Sequence, residues 1–112
     1  IWCVFQPHQH HRTKLLLKEF AMALTFADKV IIADIYAARD SDREMASVSS
    51  LDLKRELRAI GGDVEYAESS PEIISSLYSG VERNDIIMIL GAGDIWKVAH
   101  DLKNIFESEY DK

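Results

Sequence analysis

Ile86-Ile87-Met88-Ile89-Leu90-Gly91-Ala92-Gly93-Asp94 decides the fold: an apolar run without a break, then a glycine-rich corner. Ile95, Val98, Ala99, Leu102, Ile105 and Phe106 follow at helical spacing, so Ile95–Ser108 reads as a helix with one apolar face. An apolar run without alternation is what a strand buried on both faces of a sheet requires. Ile1–Phe5 and Val30–Ala33 have the same character, and Val64–Tyr66 is a fourth short run rich in β-branched and aromatic residues. Helical patterns separate the four runs. Lys14–Ala27 aligns Leu16, Leu17, Phe20, Ala21, Leu24 and Ala27 behind Thr13 as N-cap. Leu51–Ile60 follows Ser49-x-x-Asp52, a capping-box pattern, and stops at Gly61-Gly62. Pro71–Ser79 starts after Ser70 with proline in the first helical position and ends at Gly80.

The order is therefore β-α-β-α-β-α-β-α. Strands alternating with helices join by right-handed crossovers into parallel βαβ units. The expected fold is α/β, an open three-layer Rossmann-like sandwich with a mostly parallel sheet. Ile35–Val48 breaks the rhythm as a long polar connection containing Arg39-Asp40-Ser41-Asp42-Arg43-Glu44, read as a functional or mobile loop.

At 112 residues the chain is one domain, and 47% hydrophobic with 29% charged residues describes a globular protein rather than a disordered one. No apolar run approaches the roughly 20 residues needed to span a bilayer. A net charge of −6 argues against non-specific binding to nucleic acid or an anionic membrane. Cys3 is the single cysteine and has no internal partner, which suits a reducing compartment. The chain opens inside an apolar run without an initiator Met, so it reads as a piece of something longer. Charge is uneven: residues 1–32 carry four Lys/Arg against two Asp/Glu, whereas residues 33–112 carry nine against seventeen. The locally basic stretch His8–Lys18 on an acidic body suits a small anion better than a polyanion.

In open parallel sheets ligands bind outside the carboxyl ends of the strands. Three such ends carry unusual residues: Gln6-Pro7-His8-Gln9-His10-His11-Arg12-Thr13, Asp34-Ile35-Tyr36-Ala37-Ala38-Arg39-Asp40, and Gly91-Ala92-Gly93-Asp94. The glycine turn would admit a ligand to the N-terminus of the last helix, where free N–H groups favour anions; a tight turn without a ligand is the other reading. It is no dinucleotide fingerprint, because Trp96 stands where a third glycine would fall, and no G-x-x-x-x-G-K-[ST] occurs. Three readings of the histidine-rich loop stay open: a zinc site lacking a fixed carboxylate or thiolate partner, a solvated loop with Arg12 on nearby carbonyls, or an anion subsite. In the last, Arg12 supplies a planar fork and His8 a polar partner. Asp34 and Tyr36 are placed to orient an amine or hydroxyl, or equally to cap and pack. The charged run from Arg39 to Glu44 reads as solvated, and Trp2 and Trp96 as packing or domain-contact residues.

These rim segments resemble a known family. Val4-Phe5-Gln6-Pro7-His8, Arg12-Thr13, Glu19-Phe20-Ala21, Ala27-Asp28, Asp34-Ile35-Tyr36-Ala37-Ala38-Arg39, Val48-Ser49-Ser50 and Gly91-Ala92-Gly93-Asp94-Ile95 resemble, in order, the C-terminal domain of the Mur ligases. Phe-Gln-Pro-His-x-x-x-Arg-Thr places the resemblance nearest the branch of UDP-N-acetylmuramate–L-alanine ligases. The resemblance implies a cytoplasmic bacterial enzyme of peptidoglycan precursor synthesis with three domains, binding UDP-N-acetylmuramate, L-alanine and ATP with Mg2+. Residues 1–112 would be its amino-acid-side domain, N-terminally incomplete. The UDP-sugar domain and the central ATPase domain, which would hold most of the ATP and Mg2+ contacts, are absent. It implies His8 and Arg12 as catalytic residues, and Asp34, Tyr36, Arg39, Gly91, Gly93 and Asp94 as substrate-binding ones, with no metal ligand among them. Gln9 stands where many relatives have Arg, and His10 and His11 replace commoner Tyr/Thr or Tyr/Ser pairs. The family's usual opening loop and helix are missing, so the piece alone is expected to be inactive. The alternatives are a stand-alone Rossmann-like module binding an anion or nucleotide, and the related murein-peptide recycling ligase.

Overall fold

The computed structural model describes residues 1–37 and 39–110. Four strands, β1 (Trp2–Phe5), β2 (Lys29–Ala33), β3 (Val64–Ala67) and β4 (Ile87–Leu90), form one sheet in the order β3-β2-β1-β4. All three pairings are parallel, with Cys3 opposite Val30 on one side and Met88 on the other. Among the described residues six α-helices surround it, α1 (His10–Leu15), α2 (Leu17–Ala23), α3 (Asp42–Ser47), α4 (Ser50–Ala59), α5 (Ser70–Gly80) and α6 (Trp96–Tyr110), with a 3-10 turn at Leu24–Phe26. The α/β sandwich expected from the alternating pattern is the fold observed. No helix among the described residues is long and apolar enough to cross a membrane.

Side chains alternate across the sheet, so each face carries its own core. Trp2, Val4, Ile31, Ala33 and Ala67 pack on one face against Ile73 and Leu77 of α5 and Val98 and Leu102 of α6. Cys3, Val30, Ile32 and Val64 pack on the other against Ala21 of α2 and Leu53 and Leu57 of α4. Cys3 is fully buried there, and burial pushes its thiol pKa up.

One strand departs from expectation. In β4, Ile87 and Ile89 lean on the first core, but Ile86, Met88 and Leu90 keep 58%, 36% and 36% of their surface exposed. The reason is position: β4 is the edge strand beside β1, and no core residue of α2 or α4 reaches it. Trp2 is buried as expected, whereas Trp96 is exposed.

Local chemistry explains the helix limits. α4 has the anticipated capping box of Ser49 and Asp52, and Gly61 closes it at φ 92 in the left-handed conformation that glycine adopts without strain. At α5 the cap is Ser69 rather than Ser70, leaving Pro71 in the first turn. The 35–48 connection is no structureless loop, because Ser41 and Glu44 form a second reciprocal capping box that starts α3. The first helix begins at His10 instead of after Thr13: Asp40, reaching in from the segment after β2, accepts the His10 N–H at 2.6 Å. Thr13 is buried one turn inside, its hydroxyl donating to the Gln9 carbonyl at 2.8 Å. At Leu16 the path kinks into α2 while the Leu16 N–H still reaches Arg12 O and the Phe20 N–H reaches Leu16 O.

Candidate functional site

The sheet runs from β1 outward to β2 and β3, and then crosses back past β1 to β4. Its topological switch point therefore lies between the carboxyl ends of β1 and β4, where a crevice opens in folds of this kind. Gln6 leaves β1 there, and Gly91-Ala92-Gly93-Asp94 leaves β4.

The two ends are tied by a side chain. Gln6 Nε2–H donates to Asp94 Oδ1 at 3.0 Å, joining the end of β1 to the entrance of α6. The Gln6 residue is 8% exposed, and its Oε1 has no hydrogen-bond partner among the described residues. A buried acceptor left unpaired costs about 1–3 kcal/mol, so a fold retains one chiefly where something else is gained.

Gly93 is required by close approach. A Cβ there would fall 2.5 Å from Tyr36 Cγ and 2.8 Å from Gln6 Oε1, and one at Gly91 would fall 2.7 Å from Ile95 Cγ2. Tyr36 thus lies flat against the glycine turn. Its other neighbour is His8: the rings stack at 5.7 Å and 15°, and the two residues form an isolated parallel bridge. Tyr36 N–H donates to Pro7 O and Gln9 N–H to Tyr36 O, both at 2.8 Å, which fixes the histidine loop against the segment after β2. Gln9 accordingly adopts φ 66, unusual for a residue with a side chain.

A second clamp holds the same loop. Asp40 takes both the His10 N–H and the His10 Nδ1, the latter at 2.8 Å, and its side chain is only 3% exposed. The expectation of a solvated charged run fails at this residue. Desolvation alone would raise the Asp40 pKa; the His10 N–H, the His10 ring and the positive potential of His10 and His8 outweigh it and hold the carboxyl below its ordinary value. His10 is thereby committed to structure.

Asp34, exposed at the end of β2, accepts a hydrogen bond from the Tyr66 hydroxyl. Desolvation first, and then this bond and the carboxylates of Asp34, Glu68 and Glu72, push the Tyr66 pKa far above the usual phenol range. Asp34 and Tyr36 open with Gln6, Glu68, Ser69 and Asp94 onto a pocket of about 250 Å³.

The described contacts therefore bring His8, Tyr36, Gly91, Gly93 and Asp94 together around Gln6, with Asp34 across the pocket. Arg12 and Arg39 are exposed, and neither guanidinium forms an ion pair among the described residues. Ala38, within the second rim segment, lies outside the described residues. Gln6, His10 and Asp40 escaped the sequence reading as site residues. A polar Gln6 closing an otherwise apolar strand was the available signal for one; nothing local announces the pairing of His10 with Asp40. No group of three or more His, Cys, Asp or Glu among the described residues is placed to hold a metal ion.

No protein-family model matches the chain. It is 44% identical over 102 residues to the UDP-N-acetylmuramate–L-alanine ligase of Lachnospira eligens, a match covering 91% of this chain and 22% of that protein. The enzyme of the same name from Lachnoclostridium phytofermentans is 40% identical over 102 residues, 91% of this chain and 21% of the relative. Among solved structures, the crystal structure of the UDP-N-acetylmuramate–alanine ligase of Thermotoga maritima superposes with a TM-score of 0.73 at 25% identity, covering 96% of this chain and 20% of that one. The chain spans about a fifth of the length of these relatives.

Proposed function

We propose that this chain, homologous over 91% of its length to UDP-N-acetylmuramate–L-alanine ligases, is the C-terminal, amino-acid-side domain of such an enzyme. In that reaction the muramoyl carboxylate of UDP-N-acetylmuramate is activated by ATP as an acyl phosphate. The amine of L-alanine attacks the acyl carbon, phosphate leaves, and an amide bond remains. The setting is bacterial peptidoglycan precursor synthesis in the cytoplasm.

The observation that carries this reading is the convergence on one rim of the histidine loop, the Tyr36 segment and the glycine turn, the three segments in which the resemblance is densest. The sequence contains no G-x-x-x-x-G-K-[ST] phosphate-cradling loop. In this reading the central domain of the longer enzyme holds most of the ATP and Mg2+ contacts, this domain closes over the nucleotide, and the other two domains are its partners. The residues here act on the amino-acid side. His8, held by Tyr36, and Arg12, with its guanidinium free to pair, oppose the negative charge that develops on the acyl carbon's oxygens and the leaving phosphate. Asp34, Arg39, Gly91, Gly93 and Asp94 shape the seat of the amino acid.

Arg12→Ala in the complete ligase containing this chain tests the assignment. Turnover with L-alanine is expected to fall by orders of magnitude, roughly 10²-fold or more for a lost charge-stabilising donor, with folding unchanged. A normal kcat and a normal KM for alanine would remove Arg12 from the site.

A further inference from the structure

We propose that Asp40 is a positioning residue for ligation, which holds Arg12 in its working place by gripping His10. The inference rests on the reading above, in which Arg12 meets developing negative charge, and names the group that keeps Arg12 there.

Gln9 lies between His8 and Arg12 and adopts φ 66 and ψ 135. A side chain disfavours that conformation, and a residue held in it persists only where its surroundings over-determine it. Gln9 is gripped on both sides, and both grips come from the segment after β2. On one side its own N–H reaches Tyr36 O, and Tyr36 N–H reaches Pro7 O, both at 2.8 Å. On the other, Asp40 Oδ2 accepts the His10 N–H at 2.6 Å and meets His10 Nδ1 at 2.8 Å. α1 starts at His10, so Arg12 projects from the turn that Asp40 caps. Without Asp40, Gln9 can rotate back towards negative φ, and that rotation carries Arg12 away from His8.

Capping alone does not account for this arrangement. A helix is ordinarily capped by the side chain of the residue before it, yet Gln9 makes no such bond. The cap comes instead from thirty residues along the chain, on a carboxylate whose side chain is only 3% exposed. Burying a charge is costly unless it is paired, and backbone strain gathers where function over-determines the fold. Both features fall between His8 and Arg12. Asp40 is itself fixed: its N–H donates to Ala37 O at 2.8 Å, and Ser41 beside it forms the capping box that starts α3. It belongs to neither core, so its removal leaves the packing of the sheet in place.

A double-mutant cycle in the complete ligase containing this chain tests the proposal, with kcat measured per folded molecule below each variant's unfolding transition. Asp40→Ala is expected to lower kcat at least tenfold, since misplacing a catalytic group by about 1 Å can cost roughly 10²-fold. The KM for UDP-N-acetylmuramate, which other domains bind, is expected to stay within twofold. Added to Arg12→Ala, Asp40→Ala is expected to lower kcat less than twofold further, because a residue that works through Arg12 then has nothing left to position. A merely structural role would give the same loss in both backgrounds. A smaller loss in the single variant, a larger one in the double, or a raised KM overturns the proposal. Should Asp40→Ala not fold, the same cycle is read on Asp40→Asn, which offers His10 a neutral oxygen, with at least a threefold loss expected. The ligase reading fails separately, when Arg12→Ala alone keeps normal turnover.

Discussion

β2 and β4 are written in almost the same alphabet, yet they live in different surroundings. Val30-Ile31-Ile32-Ala33 lies in the middle of the sheet, with Ile31 1% and Ile32 0% exposed beneath helices on opposite faces. Ile87-Met88-Ile89-Leu90 lies on the edge, half-buried on the α5–α6 face and exposed on the other. An apolar run states what a strand would bury if it were covered; whether a cover arrives is decided by topology, which no window of sequence contains.

Unfolding in urea makes the contrast quantitative. Ile32→Ala should cost the most, about 2–5 kcal/mol, because a cavity opens where helices cannot collapse onto the sheet. A loss under 1 kcal/mol would break the comparison at its covered end. Gly93→Ala probes the β4 side, where the new Cβ must displace Tyr36 and its stacked His8. About 1–3 kcal/mol is expected, with loss of the upfield ring-current shift of His8 in the proton spectrum. A neutral effect with the stack intact would mean the glycine turn yields. Asp40→Asn probes the segment following β2, at about 1 kcal/mol for replacing a charged acceptor by a neutral one. The Asp40 pKa is depressed in the fold, so its contribution is complete above the ordinary 3.8 and is lost as pH falls through the lower folded value. The gap between wild type and Asp40→Asn should therefore be level at neutral pH and close in acid; a gap that widens in acid would reverse the assignment. Met88→Ala should matter least, under about 0.5 kcal/mol. A loss matching Ile32→Ala would show that this face of β4 is covered in solution.

Much of the architecture was legible because it is written locally. The alternation of strands and helices, the parallel pairing and the α4 and α5 helices follow from apolar spacing, Ser49, Pro71 and Gly61; the order β3-β2-β1-β4 does not. α3 was missed because it buries none of its residues, so it has no apolar stripe, and only the Ser41…Glu44 pair marks it. α1 was placed too late because its cap is supplied from thirty residues away by Asp40. The rim itself was legible through the rule for strand ends, and the roles within it were not. Tyr36 looked like a substrate contact and is also the wall that holds His8, while Gln6, first residue after β1, stood in the rim segment without a role of its own.

Cys3 turns the difference between the two halves into something that can be timed. Its sulfur sits on β1 between Val30 and Met88, fully enclosed and with its proton held more tightly than in water. Only a thiolate reacts, and only when reagent reaches it. Each alkylation event therefore records one moment when β1 has lost its shelter, and the single thiol becomes a clock for the opening of whichever half lets go first.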